Sequence, residues 1–156
     1  MKKLLFVFAL VAILATGTVF AGDFGIGVHG GYGGVGSSGG LNLGVAGLFI
    51  YIDALGLGAN HMVVSGAVDF ISLFGATLVP TLDFYIRAGV GVALWGRNDA
   101  LGFAAAARLP IGLSWKPIPL LEIFLQVVPQ IGFQVLPEVD LWGNFWGGNL
   151  GIRIWL

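Results

Sequence analysis

Polar and apolar residues alternate along much of the second half of the chain. Between 122 and 134, Glu122, Gln126, Gln130 and Gln134 share one parity with Phe124, Val128 and Gly132. The other parity is Ile123, Leu125, Val127, Pro129, Ile131 and Phe133. An unbroken apolar set at every second position marks a strand with one apolar face. Segment 82–94 sets Asp83, Tyr85, Arg87, Gly89, Gly91 and Ala93 against Leu82, Phe84, Ile86, Ala88, Val90, Val92 and Leu94. Segment 101–115 sets Arg108, Pro110, Gly112 and Ser114 against Leu101, Phe103, Ala105, Ala107, Leu109, Ile111, Leu113 and Trp115. The chain ends with Asn149, Gly151, Arg153 and Trp155 opposite Leu150, Ile152, Ile154 and Leu156. Segment 41–57 breaks the rule, because both of its faces are largely apolar. It lies within 41–59, the best window for a membrane helix, although Asn42, Asp53 and its glycines suit a helix poorly.

Composition explains what the apolar faces meet. Of 156 residues, 57% are hydrophobic and 10% charged, against about 25% charged in soluble domains. That excludes a disordered chain and leaves too little charge to solvate an ordinary globular surface. A sheet facing lipid has to close, because open edges leave backbone groups unpaired in hydrocarbon. At the N-terminus, Lys2 and Lys3 precede an apolar run over 4–14 and the sequence Val19-Phe20-Ala21. This is the tripartite pattern of a secretory signal peptide cleaved after Ala21. The reading divides the chain into a signal peptide, 1–21, and a transmembrane β-barrel domain, 22–156, of 135 residues.

Eight strands allow about 17 residues each with connections, enough for the roughly 9–11 that span a bilayer. The expected fold is all-β, an eight-stranded antiparallel transmembrane β-barrel. Its strands are expected at 24–33, 41–49, 51–58, 62–73, 82–94, 102–115, 120–133 and 145–156. With both termini periplasmic, 116–119 is a tight periplasmic turn, and 34–40, 95–101 and 136–144 are short outer loops. Trp95, Trp115, Trp142, Trp146 and Trp155 lie near strand ends, where barrels carry interfacial aromatic girdles.

The ending Asn149-Leu-Gly151-Ile-Arg-Ile154-Trp-Leu156 resembles the C-terminal β-signal of outer-membrane proteins, with Leu156 where that signal usually has Phe. A longer pattern joins Arg108-Leu-Pro110-Ile-Gly112-Leu113, Pro119-Leu-Leu-Glu122-Ile-Phe124-Leu, Pro129 and Gly151-Ile-Arg153. It looks like the last three strands of small eight-stranded bacterial outer-membrane proteins, similar in architecture to the OmpX and OmpW families. The resemblance implies residence in the bacterial outer membrane. It also implies insertion by the barrel-assembly machinery, with Asn149, Gly151, Ile154 and Leu156 as the assembly signal.

Little in the chain points to catalysis. There is no Cys, which excludes disulfides and thiolate chemistry. The glycine-rich stretch 30–40 lacks the Lys of a phosphate loop. His29 and His61 have no metal spacing, and no Ser sits in a nucleophile elbow. No cofactor, metal or enzymatic activity is expected, and a net charge of −1 leaves no nucleic-acid footprint. The charges carry more information. Asp69, Asp83, Arg87, Arg108, Glu122 and Arg153 fall on lumen faces, where isolated charges are costly and should pair. Glu122 with Arg153 is the expected cross-strand pair. The functional reading is a structural, envelope role, with passage or binding of a small hydrophobic molecule where 41–57 lines the wall. Alternatives are a surface adhesion or host-interaction protein, and an inner-membrane helical protein.

Overall fold

The computed structural model describes residues 24–33, 36–54, 62–97, 100–136, 138–142 and 146–156. The proposed leader 1–21, His61 and the side chain of Trp142 lie outside them. Ten strands form one antiparallel sheet: β1 (Phe24–Gly33), β2 (Gly36–Val45), β3 (Leu48–Ala54), β4 (Met62–Val79), β5 (Leu82–Arg97), β6 (Ala100–Arg108), β7 (Ile111–Ile118), β8 (Leu121–Leu136), β9 (Asp140–Trp142) and β10 (Trp146–Trp155). Strands β6 and β7 occupy one crossing between β5 and β8, and β9 and β10 share the next. The sheet closes where β10 pairs with β1, Ile26 opposite Ile154 and Val28 opposite Ile152. The ring therefore has eight positions.

The register fixes the barrel's shape. From Leu82, partners run through Trp115, Ile123, Ile152, Val28, Leu41, Ile52 and Gly66, and return to β5 at Val92. One circuit of eight strands thus advances ten residues. With standard strand spacings, that stagger tilts the strands by about 40° to the barrel axis. A lumen of this size is just wide enough for side chains to fill.

Parity then sorts the residues. Val28, Leu41, Ile52, Val90, Val92, Leu125, Val127, Leu150 and Ile152 point outward and are exposed. Asn42, Asp69, Glu122, Gln126 and Arg153 point inward and are buried. A contiguous apolar belt around a whole molecule is not a soluble surface. It suits lipid, so the chain is a membrane-embedded barrel. Among the described residues no helix crosses the membrane, and the window 41–59 forms strands as far as it is described. The helical alternative fails there.

Several expected boundaries move. The second hairpin turns at Ala46–Gly47, not near 50, so β2 and β3 replace the expected 41–49 and 51–58. Ala46 has φ +47° and Gly47 φ +86°, the two left-handed residues of a type I′ turn. The expected loop 34–40 is strand from Gly36 on, paired to β1. The expected strand 102–115 breaks at Leu109–Pro110, because Pro110 has no N–H for the ladder. Residues 116–118 stay in β7, and the turn is Pro119–Leu120. Within the expected loop 136–144, β9 pairs with β8.

The largest difference is β4, which runs to Val79 instead of 73. Extra residues Phe70, Leu73 and Leu78 bulge from its pairing with β5. Its ladder with β3 ends at Asp69 opposite Phe49. Past Asp69, β5 is its only partner among the described strands. This hairpin overhangs the near end of the barrel, the end where β1 begins and β10 finishes.

The Ala46 conformation is unfavourable for a residue with a Cβ, by about 1 kcal/mol. Ala46→Asn, which suits the first position of a type I′ turn, is expected to stabilise the barrel by about 0.5–1 kcal/mol. Urea titration in detergent checks it; an unchanged or lower midpoint contradicts the turn assignment.

Candidate functional site

The lumen holds nearly all of the chain's candidate chemistry. Its organising device is a long side chain laid across a glycine. Alternate strands in a sheet stand roughly 9.5 Å apart, so their side chains meet only if the strand between them is bare. Arg153 on β10 crosses Gly27 on β1, and its Nε donates to Asn42 Oδ1 on β2 at 2.9 Å. His29 crosses Gly40 to place Nε2 2.9 Å from Asp53 Oδ1. Arg108 crosses Gly89, with Nε 3.0 Å from Asp69 Oδ1. Tyr85 crosses Gly112, and its hydroxyl donates to Gln126 Oε1 at 3.0 Å. A Cβ on Gly89 would come within 2.5 Å of Asp69 Oδ1, and one on Gly112 within 2.7 Å of the Tyr85 hydroxyl oxygen.

Glu122 is the hub. Arg153 sits directly opposite it in the register, and NH1 donates to Glu122 Oε2 at 2.9 Å. Ser114 Oγ donates to Oε1 at 2.7 Å, and Trp155 Nε1 to Oε2 at 2.8 Å. The carboxylate is 2% exposed, so three donors replace its lost water. The Arg153 guanidinium carbon lies 4.6 Å from the Phe49 ring centroid and 5.0 Å from that of Phe124. Tyr51 and Phe124 pack edge to face at 6.2 Å, and the Arg108 guanidinium lies 5.0 Å from Tyr51.

The expected charge network thus resolves into two ion pairs and two separate groups. Asp69–Arg108 and Glu122–Arg153 are joined. Asp83 and Arg87 are not. Asp83 accepts from Thr77 Oγ1 at 2.7 Å. Arg87 lies over the aromatic rings of Phe49, 3.5 Å from the centroid, and Tyr85, 3.9 Å. His29 and Asp53 form a polar cluster with Ser65, whose Oγ donates to Asp53 Oδ2 at 3.2 Å. The carboxylate stands between the hydroxyl and the imidazole, so Ser65 does not face the imidazole as a triad serine would. The expected network omits Asn42, Gln126, Tyr85 and Tyr51, although Gln126 and Tyr85 stand on the polar faces of their strands. Their parity was available, but their partners lie on strands whose register no single segment contains.

The tryptophans divide differently from the girdle expected of them. Trp115 and Trp146 face outward and are exposed. Trp155 turns inward, crossing Gly25 and Gly44 to meet Phe49 edge to face at 6.3 Å. Trp95 also lies on the lumen face, across Gly102. In the proposed assembly signal, Asn149 and Gly151 take the inward parity, while Ile154 and Leu156 are exposed. Gly151 leaves room for Phe124 and for the β-carbon of His29. The Leu156 N–H donates to Phe24 O at 2.8 Å at the seam.

Removing Glu122 would strand a buried arginine. Glu122→Ala is expected to destabilise the barrel by about 3 kcal/mol. Adding Arg153→Met should recover much of that loss. Urea midpoints of the single and double variants, measured in one detergent, check it. A single variant as stable as wild type contradicts the hub.

No family model and no curated protein matches the chain. Among solved structures it is similar to Neisserial surface protein A, at 12% identity over 86% of this chain and 97% of that one, with a TM-score of 0.46. It is also similar to a de novo designed transmembrane β-barrel, at 18% identity over 88% of this chain and 98% of that one, with a TM-score of 0.38. The closed ring stands on this chain's own register.

Proposed function

We propose that the chain is a structural component of a bacterial outer membrane, a lipid-spanning wall whose lumen is closed to solutes. One observation carries this reading. Arg153, Tyr51, Phe124, Gln126, Glu122, Asn42 and Asp69, contributed by β2, β3, β4, β8 and β10, are each at most 2% exposed. Side chains that water barely touches leave no continuous aqueous path between them. The polar plug also explains how a narrow barrel keeps charges in its interior: each carboxylate of the plug lies against a guanidinium.

In this reading the protein is not an enzyme. Segment 1–21 serves as its export signal. Strand β10, with Asn149, Gly151, Ile154 and Leu156, is the segment engaged by the barrel-assembly machinery. The passage of hydrophobic molecules suggested by 41–57 finds less support, because Tyr51 and Asn42 in that stretch are buried parts of the plug.

Reconstituted in planar bilayers, the wild-type barrel is expected to give no steady conductance above the bilayer's own. Replacing Glu122 and Arg153 together by Ala is expected to open a small ohmic one. A steady wild-type conductance contradicts the closed lumen.

A further inference from the structure

Below the plug, the near end of the barrel encloses a cavity of about 840 Å³. Its walls include Phe49, Phe84, Leu120 and Trp155, with Arg87 and Lys116 among them. The acids on this wall are already engaged. Glu122 is held by Arg153, Ser114 and Trp155, and Asp83 accepts from Thr77. The cations are not. Lys116 Nζ lies 5.8 Å from the Trp155 ring, and among the described residues no carboxylate pairs with it or with Arg87. The Arg87 guanidinium contacts only aromatic faces among its described side-chain interactions. Those contacts fix its position and leave its in-plane N–H donors free for a planar or tetrahedral oxyanion. With Glu122 balanced by Arg153, the described side chains of the cavity wall include Arg87 and Lys116, with Asp83 as the remaining acidic side chain.

The apolar half of the site lies beside it. The β4–β5 overhang lines the cavity through Ser72, Gly75, Ala76 and Thr77. Beyond these, Phe70, Ile71, Leu73, Phe74, Leu78 and Val79 are all exposed. The cavity therefore joins fixed cationic donors to an apolar flank at one end of a membrane-embedded barrel.

We propose that this near-end cavity binds an anionic amphiphile: a carboxylate or phosphate headgroup on Arg87, assisted by Lys116, with its acyl chain along Phe84, Leu120 and the β4–β5 overhang. The site borders the plug at Glu122, but its donors Arg87 and Lys116 are not plug members and do not require a closed lumen, so bilayer conductance and binding can fail separately.

The test uses the folded barrel in neutral maltoside micelles, with folding verified for every variant by the heat-dependent gel shift. Bromine-labelled laurate is titrated, and the tryptophan quenching that disappears in Trp155→Phe is taken as the site signal. Saturable quenching is expected. Dodecyl phosphate should displace the probe, whereas dodecanol and inorganic phosphate should each need at least ten-fold higher concentration. Comparing laurate with dodecyl phosphate identifies the preferred headgroup. Arg87→Gln is expected to weaken binding at least ten-fold, Arg87→Lys less, and Lys116→Gln by a smaller factor. Unchanged binding in Arg87→Gln overturns the proposal. Displacement by dodecanol as effective as by dodecyl phosphate removes the anionic half. Equally effective displacement by inorganic phosphate removes the apolar half.

Discussion

The structure depends on one geometric constraint: a lumen closed by eight strands with a ten-residue stagger leaves space for few side chains, and those must meet across an intervening strand. Glycine supplies the bare strand. Gly27, Gly40, Gly89 and Gly112 each lie between two polar residues that meet over them, by a hydrogen bond or, at Gly89, by an ion pair. Gly25 and Gly44 do the same for Trp155 and Phe49. The 27 glycines of this chain therefore include a set whose lack of a Cβ is a packing requirement rather than a source of flexibility.

Electrostatics follows from that packing. A buried carboxylate in hydrocarbon surroundings is tolerable only with donors around it. Glu122 has three, from β7 and β10. The guanidinium of Arg153 then joins β8 to β2 through Asn42, across the seam where the sheet closes. Pairing of β10 with β8 already brings Arg153 to Glu122, and closure of β10 onto β1 adds the second acceptor, Asn42. At the near end the rule relaxes. Arg87 and Lys116 lie outside the plug, where an aromatic surface rather than a carboxylate positions each of them.

Much of this was legible in the sequence. Parity alone assigned the faces of β5, β8 and β10, and opposite charges at matching depth on the last two strands identified Glu122 with Arg153. The cross-glycine partners were not legible, because each depends on two registers at once. The turn at Ala46–Gly47 was hidden because both faces of 41–57 are largely apolar and Ala is a poor marker of positive φ. Three bulges in β4 shift its parity, so no period-two pattern marks its extension to Val79. For Trp155 the parity argument placed the ring inward, beside Arg153, while the end-of-strand argument placed it in a girdle; the hydrogen bond to Glu122 and the bare strands at Gly25 and Gly44 favour the first.

The central claim, that particular glycines are bare because neighbouring backbone and a bridging side chain close over them, is tested by a four-site alanine scan. An alanine methyl at Gly89 would stand 2.5 Å from Asp69 Oδ1 and closer still to Val68 O, and one at Gly112 2.5 Å from Leu125 O and 2.7 Å from the Tyr85 hydroxyl, whereas one at Gly75 or Gly96 would have nothing within 4 Å. Urea unfolding in one detergent should show Gly89→Ala and Gly112→Ala destabilised by about 1–3 kcal/mol, with Gly75→Ala and Gly96→Ala no less stable than wild type. Equal effects at all four sites would contradict the account.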